Sequence, residues 1–407
     1  MAVAAIKRIV AAGAFAAITL SAPGNASAED YSKVEGYIHS FNNNVSVYSG
    51  VFALNKDVDL DTSVYFKYNI DLINPDTGGD EGDVEGGDDD DEGGEDDALN
   101  KSRAVSAVSG ASSAVSSAGG SSATDTRHAL TLGASRNFNN IIGAEAYLDY
   151  SAESDYRSLT PTVTLKKDFF EKNTTLTLGY SRNMDTVSGR FMDNAEDKTV
   201  DNFFVGVTQV LSPFTIAQIG YSRNQSSGFQ SEGIRLVPVD GVTADTCTDE
   251  TATCVEEVFP ETRSRNAYLA GVNHYFSGGL LDRSSIKLTA RYYNDDWDIT
   301  SYTGDVEYYK YLSEEWLLRL NYRYYTQTAA FFVKDSYSSV DEFKSSSPQL
   351  EALDSNLYGA KLAYLFKEGE KISDTVSLGT IEGKYEYYTE TIGVNAHIIM
   401  AAIRLIF

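Results

Sequence analysis

The connections in this chain alternate between short and long, and that rhythm restricts its fold more than any other feature. Sixteen segments carry strand-like alternation, centred on 31–41, 45–54, 58–72, 126–137, 141–151, 156–168, 174–184, 201–211, 214–224, 262–276, 284–294, 301–311, 315–326, 355–366, 375–387 and 394–407. Short connections at Asn55-Lys56-Asp57, Asn139-Asn140, Leu211-Ser212-Pro213 and Ser313-Glu314 alternate with long ones over about 73–125, 185–200, 225–261 and 327–354. A soluble meander has no reason to sort its loops by length. A transmembrane barrel does, with short turns on one side, long loops on the other and roughly 9–11 residues per crossing. The expected fold class is all-β: a transmembrane antiparallel β-barrel of about 16 strands, with short periplasmic turns and long extracellular loops.

The faces of single strands agree. From Trp316 to Tyr324, one face is Trp316, Leu318, Leu320, Tyr322 and Tyr324, and the other holds Arg319, Asn321 and Arg323. An arginine facing lipid at mid-bilayer costs about 2–4 kcal/mol, so the second face is assigned to water. The two preceding strands place Lys287 and Arg291, then Asp305 and Glu307, on the same inner wall. Lys287, Arg291, Asp305, Glu307, Arg319 and Arg323 are therefore candidate lumen or constriction residues. They would either select solutes by sign or neutralise one another across strands.

Composition matters where it excludes alternatives. No stretch approaches the 18 or so apolar residues of a membrane helix, although 27 Tyr and 19 Phe are present. Aromatics in that number suit interfacial girdles on a barrel; an array of secreted β-sandwiches is the competing all-β reading. The net charge of −26 is half accounted for by thirteen acidic residues between Asp76 and Asp97. With no basic stripe elsewhere, nucleic acid is not an expected partner.

The two ends point to export. Lys7 and Arg8, the apolar run Ile9 to Leu20 and the small-residue site Ala26-Ser27-Ala28 read as a signal peptide over 1–28. Residues 29–407 are then the barrel, placed in the bacterial outer membrane among lipid and lipopolysaccharide. The last strand keeps an apolar face through Ile399, Ala401, Ile403, Leu405 and Phe407. A terminal Phe407 of this kind suits an assembly signal read by the outer-membrane assembly machinery.

Three further features invite chemistry. Cys247 and Cys254, close together in an exported chain, are expected to form a disulfide that pins a loop; a metal site is the alternative, without a nearby His. The insertion 73–125 pairs a Gly/Asp-rich stretch with the Ser/Ala/Gly-rich segment 102–122. Its run Asp88, Asp89, Asp90, Asp91, Glu92 could collect cations weakly, but it has neither the EF-hand nor the nonapeptide calcium pattern. A solvated loop is the plainer reading of the acidic run, and a pore-constricting plug is the sharper of the readings open for 102–122. Catalysis is not expected: His39, His128, His274 and His397 lie on separate strands, and Asp125 with His128 is the nearest approach to a hydrolytic pair. No cofactor motif is present.

Several stretches in order resemble a known family: Ser106-Ala107-Val108-Ser109-Gly110-Ala111-Ser112, Asp125-Thr126-Arg127-His128, Glu261-Thr262-Arg263, Arg291-Tyr292-Tyr293-Asn294-Asp295-Asp296-Trp297 and Arg323-Tyr324-Tyr325-Thr326-Gln327. The chain is similar in these to an uncharacterised proteobacterial family of outer-membrane barrels, domain of unknown function 3570. The acidic insertion departs from it. The resemblance implies location and barrel form and carries no activity. The family's association with thiol-redox and flavin-attachment genes implies a second role, a sheath around a redox partner protein. The expected function is passive passage of small hydrophilic solutes or ions, set against that sheath and against a plugged structural or surface-binding barrel. Homo-oligomers, as in other porins, are an expectation by analogy of fold only.

Overall fold

Sixteen strands close on themselves through backbone hydrogen bonds, with β1 pairing β18 to complete the wall. The computed structural model describes residues 30–42, 45–75, 125–138, 141–242, 247, 250–366, 372–373 and 375–407. The first strands are β1 (Tyr31–Phe41), β2 (Val45–Asp57), β3 (Thr62–Pro75), β4 (Asp125–Phe138) and β5 (Ile142–Ala152). They continue as β6 (Tyr156–Phe169), β7 (Thr174–Val187), β8 (Glu196–Ser212) and β9 (Thr215–Gly228). Two short strands, β10 (Leu236–Pro238) and β11 (Cys254–Glu256), form a separate hairpin outside the wall. The barrel resumes with β12 (Thr262–Phe276), β13 (Ser284–Asp295), β14 (Thr300–Tyr311), β15 (Trp316–Gln327), β16 (Leu353–Leu365), β17 (Ser377–Glu390) and β18 (Asn395–Ile406). Every wall pairing is antiparallel between strands adjacent in the barrel, so Asp30 and Phe407 lie at one end, and the connections 188–195, 229–261 and 328–352 lie at the other among shorter ones such as 153–155 and 296–299.

The expected all-β antiparallel barrel of sixteen strands is thus the observed fold. The predicted signal peptide, the acidic run Asp88 to Glu92 and the segment 102–122 lie outside the described residues.

Alternation decides the two faces. Along β6, Leu159, Val163, Leu165 and Phe169 are exposed on the outer surface, while Ser158, Thr160, Thr162 and Thr164 turn inward. Trp316, Leu320, Tyr322 and Tyr324 lie outward on β15, as their period predicts. Outward tyrosine rings meet from strand to strand: Tyr221 and Tyr268 are tilted at 5.1 Å, Tyr268 and Tyr292 stacked at 6.0 Å, and Tyr292 and Tyr302 tilted at 5.2 Å between ring centroids. Such a belt suits the interface between hydrocarbon and head groups. On β18, Ile399 and Ile403 face outward, while Arg404 lies inward over the Tyr31 ring at 4.5 Å. Phe407 is about two-fifths exposed, and its backbone N–H donates to the Asp30 carbonyl at 3.1 Å.

Two sequence boundaries move. Asn55, Lys56 and Asp57 are not a turn; they pair in β2 with Tyr65, Val64 and Ser63, and the chain reverses over 58–61. An aspartate turn explains the shift: the Asp61 N–H donates to Asp59 Oδ1 at 2.8 Å and the Val58 N–H to the Thr62 carbonyl at 2.9 Å. Strands β7, β8 and β9 also run three to five residues further at the loop end than the alternation suggests. Beyond the bilayer the outer face no longer meets hydrocarbon and the inner face, with Asp185, Val187, Val200 and Ser226 buried, packs under loops, so backbone pairing continues where the alternation has stopped.

Candidate functional site

The inner wall carries the chemistry. Register places Lys287 opposite Glu307, and Asp305 opposite Arg323. Lys287 Nζ meets Glu307 Oε1 at 2.8 Å, and Arg323 Nε meets Asp305 Oδ1 at 2.5 Å. Arg319 lies between two carboxylates, 3.6 Å from Glu307 and 3.5 Å from Glu386, and Lys384 closes on Glu386 at 2.7 Å. Tyr309 and Asn321 donate into the same network, to Glu307 at 2.5 Å and Glu386 at 3.2 Å. A Cβ at Gly359 would lie 2.4 Å from Asn321 Oδ1 and 2.7 Å from Glu386 Cγ, so glycine there leaves the space this contact occupies. Arg291 stacks on Tyr293, with 5.5 Å from guanidinium to ring. All six predicted lumen residues therefore share the inner face. Five of them form ion pairs, and Glu386 and Lys384 extend the network through β17.

The loop end is roofed. The β9–β12 and β15–β16 connections fold together, with the Val258 and Lys344 backbones exchanging hydrogen bonds at 3.0 and 2.9 Å and the Asp240 N–H reaching the Tyr337 carbonyl at 2.9 Å. Glu257 ties them at the centre. Its carboxylate accepts from Ser231 Oγ at 3.2 Å on its own loop, and from Ser345 Oγ at 3.1 Å and the Ser346 N–H at 2.9 Å on the other. A knot of Trp297, Ile299, Ala330, Phe332 and Leu350 packs beside it, almost fully buried. Trp297 donates through Nε1 to the Thr262 carbonyl at 3.0 Å and lies 4.1 Å under the Arg263 guanidinium. Cys247 and Cys254 form a disulfide within this roof, with Cα atoms 5.4 Å apart.

Beneath the roof is a cavity of about 320 Å³. Wall residues Asp185, Lys198, Asn202 and Arg265 line it, together with Ser231, Glu257, Phe259 and Ser347 from the loops. It is bipolar, with Asp155, Asp185 and Glu257 facing a space shared with Lys198, Arg263 and Arg265. Among the described residues these two loops cover the cavity; the segment 102–122, the candidate plug, lies outside them. Glu257 stands in no motif, and Trp297 closes a stretch singled out only for the family resemblance; contacts with distant loops make both pivotal.

Burial pushes the Glu257 carboxyl above its ordinary value near 4.5, against the opposing pull of Arg235. A docked roof therefore holds this proton to higher pH than an undocked one. Its stabilising contribution is complete below the ordinary value and is lost as pH rises through the raised one. Acidification should accordingly strengthen the docking of the two loops, seen as slower proteolysis within them, and Glu257→Gln should flatten that dependence. An unchanged profile in the variant would remove Glu257 from this role.

The remaining candidates scatter. His128, His274 and His397 face outward, bonded to Tyr68, Thr215 and Tyr385, whereas His39 lies on the inner face. Asp125 points inward, so it does not pair with His128. The tripeptide Ser-Arg-Asn occurs at 135–137, 181–183 and 222–224, and puts Arg136, Arg182 and Arg223 on the outer face, with Arg182 3.5 Å from Asp201.

A closed wall, an apolar aromatic-belted exterior and an ion-paired polar interior together define a transmembrane β-barrel of the outer-membrane class. Within that class the chain belongs to the family described as protein of unknown function, DUF3570, whose profile matches residues 3–191 and 188–401. No curated protein matches the chain. Among solved structures it is similar to a bacterial polysaccharide outer membrane secretin, at 7% identity and a TM-score of 0.46, covering 94% of this chain and 99% of that one. It is similar also to OccD3 (OpdP) of Pseudomonas aeruginosa, at 8% identity, TM-score 0.44, and 92% and 90% coverage. A loop L8 deletion mutant of OmpT, an outer membrane protein of Vibrio cholerae, aligns at 11% identity, TM-score 0.42, and 92% and 97% coverage.

Proposed function

We propose that this barrel passes small hydrophilic solutes or ions across the bacterial outer membrane, with the two-loop roof narrowing its mouth. The observation that carries this reading is the inner wall: paired charges and hydroxyls line β4–β7 and β13–β17, and polar side chains continue up to the cavity under the roof. A wall of that kind has no use against lipid or a packed apolar core, but it offers water and ions a lined path. Outward Arg182 and Arg223 with the tyrosine belt suit the head groups of lipopolysaccharide. The test is conductance of the refolded chain in planar bilayers, beside a variant with the roof loops shortened. Silence from both proteins would sink the channel reading.

The cavity favours one further reading, capture of a small charged solute at the mouth. Its volume lies at the lower end of the range for small-molecule sites, and its bipolar lining would orient a zwitterion. Saturable binding without conductance would select this reading. Nothing in the described residues supports the redox sheath, and the roofed mouth opposes entry of a protein.

A further inference from the structure

We infer that Asp125, Glu153 and Asp155 form a binding site for a divalent cation of the calcium type at the loop end of the wall. Asp125 opens β4, and Glu153 and Asp155 belong to the three-residue connection from β5 to β6. One carboxylate oxygen from each lies within 4.8 Å of the others. Two oxygens bound to one Ca²⁺ at 2.3–2.6 Å stand at most roughly 4.6–5.2 Å apart, so a single ion reaches all three.

A second observation makes this more than a surface cluster of acids. Asp125 and Glu153 are each only 8% exposed. Both Glu153 carboxylate oxygens, Asp125 Oδ2 and Asp155 Oδ1 are buried and accept no hydrogen bond. Buried acceptors are nearly always satisfied, and three carboxylates that keep unpaired buried oxygens while standing within reach of one ion mark a place for a cation. Protein cations do not fill the need. Arg127 approaches Glu153 at 3.6 Å through Nε but is shared with a fourth carboxylate, Asp71, at 3.9 Å. A bound divalent ion would relieve both the missing partners and the repulsion, and would staple the start of β4 to the β5–β6 connection. The site is independent of whether the barrel conducts.

Calcium titration of the refolded full chain tests this by thermal melting and by terbium luminescence, for which Tyr156 is the adjacent sensitiser. One saturable site is expected, in the range of about 10⁻⁴–10⁻³ M that exposed extracellular calcium modules show. Glu153→Gln keeps the shape and removes the charge; it should weaken binding on the order of 10–100-fold, as loss of a supporting group at a metal site does. Asp155→Asn should act alike and serves if the first variant folds poorly. Neutralising Asp88 to Glu92 should leave the saturable site intact. The assignment is overturned if Glu153→Gln and Asp155→Asn bind calcium as the parent does, if the saturable component disappears with the Asp88 to Glu92 change instead, or if the parent shows none.

Discussion

Replacing the loops 229–261 and 328–352 by tight turns should raise single-channel conductance severalfold while leaving the barrel folded. The wall does not depend on these loops, because every wall strand is already paired on both sides. The mouth does depend on them, because they supply the loop-side lining of the cavity and contact the inner face through Gln230, which is hydrogen-bonded to Ser226 at 2.8 Å. Trp297→Ala is the milder form of the same experiment. It removes the centre of the aromatic knot and the Thr262 contact, and truncations of buried tryptophan typically cost about 3–5 kcal/mol. Charged to the docking of the roof, that cost should shift the channel towards its open level without lowering the melting temperature of the strands. Deleting 76–124, which keeps β3 and β4 whole, serves as the contrast and should leave the roof in place and the conductance of the parent unchanged. An increase in conductance on that deletion alone would return the plug to the Ser/Ala/Gly-rich segment.

The second large effect belongs to the wall. Arg319→Glu would place a third carboxylate between Glu307 and Glu386, the latter with an 8% exposed side chain. Removing one partner from a buried network costs on the order of 3–5 kcal/mol, and less where water reaches the lumen. Melting should therefore fall, and reversal potentials under a salt gradient should move towards cation preference as the inner wall gains two negative charges. The exchange Arg319→Glu with Glu386→Arg should recover much of the lost stability, since opposite signs again meet across the wall. Loss of stability without any change in selectivity would mean that ions do not pass this stretch of wall.

Much of the fold was legible because a barrel strand writes its environment into every second residue. Arg319 and Arg323 beside Leu320 and Tyr322 reveal two faces without any knowledge of neighbours. Legibility ended where that local rule ended. At Asp185, Lys198 and Gln225 the outer face has left the hydrocarbon and the inner face is covered by distant loops, so the extensions of β7, β8 and β9 looked like loop. At Asn55-Lys56-Asp57 a turn-like composition hid a paired strand end, and the true reversal waited for the carboxylate of Asp59. The charged wall was partly readable: Lys287 with Glu307 and Asp305 with Arg323 come from neighbouring strands. Glu386, the second anchor of Arg319, comes from β17, and nothing in its local pattern announces the contact.

Strand number, the order of the wall, the inner and outer faces and the sign of each lumen charge were determined by the sequence alone, because alternation with a period of two is a local property of the backbone. Tertiary structure alone decided which charges touch, that two loops roof the mouth, and that Asp125 meets Glu153 and Asp155. Those contacts join residues far apart in the chain, as Glu257 and Ser345 are at a separation of 88. They exist only once closure of the barrel brings the strand ends to one rim, and no local pattern records which distant partners a rim will gather.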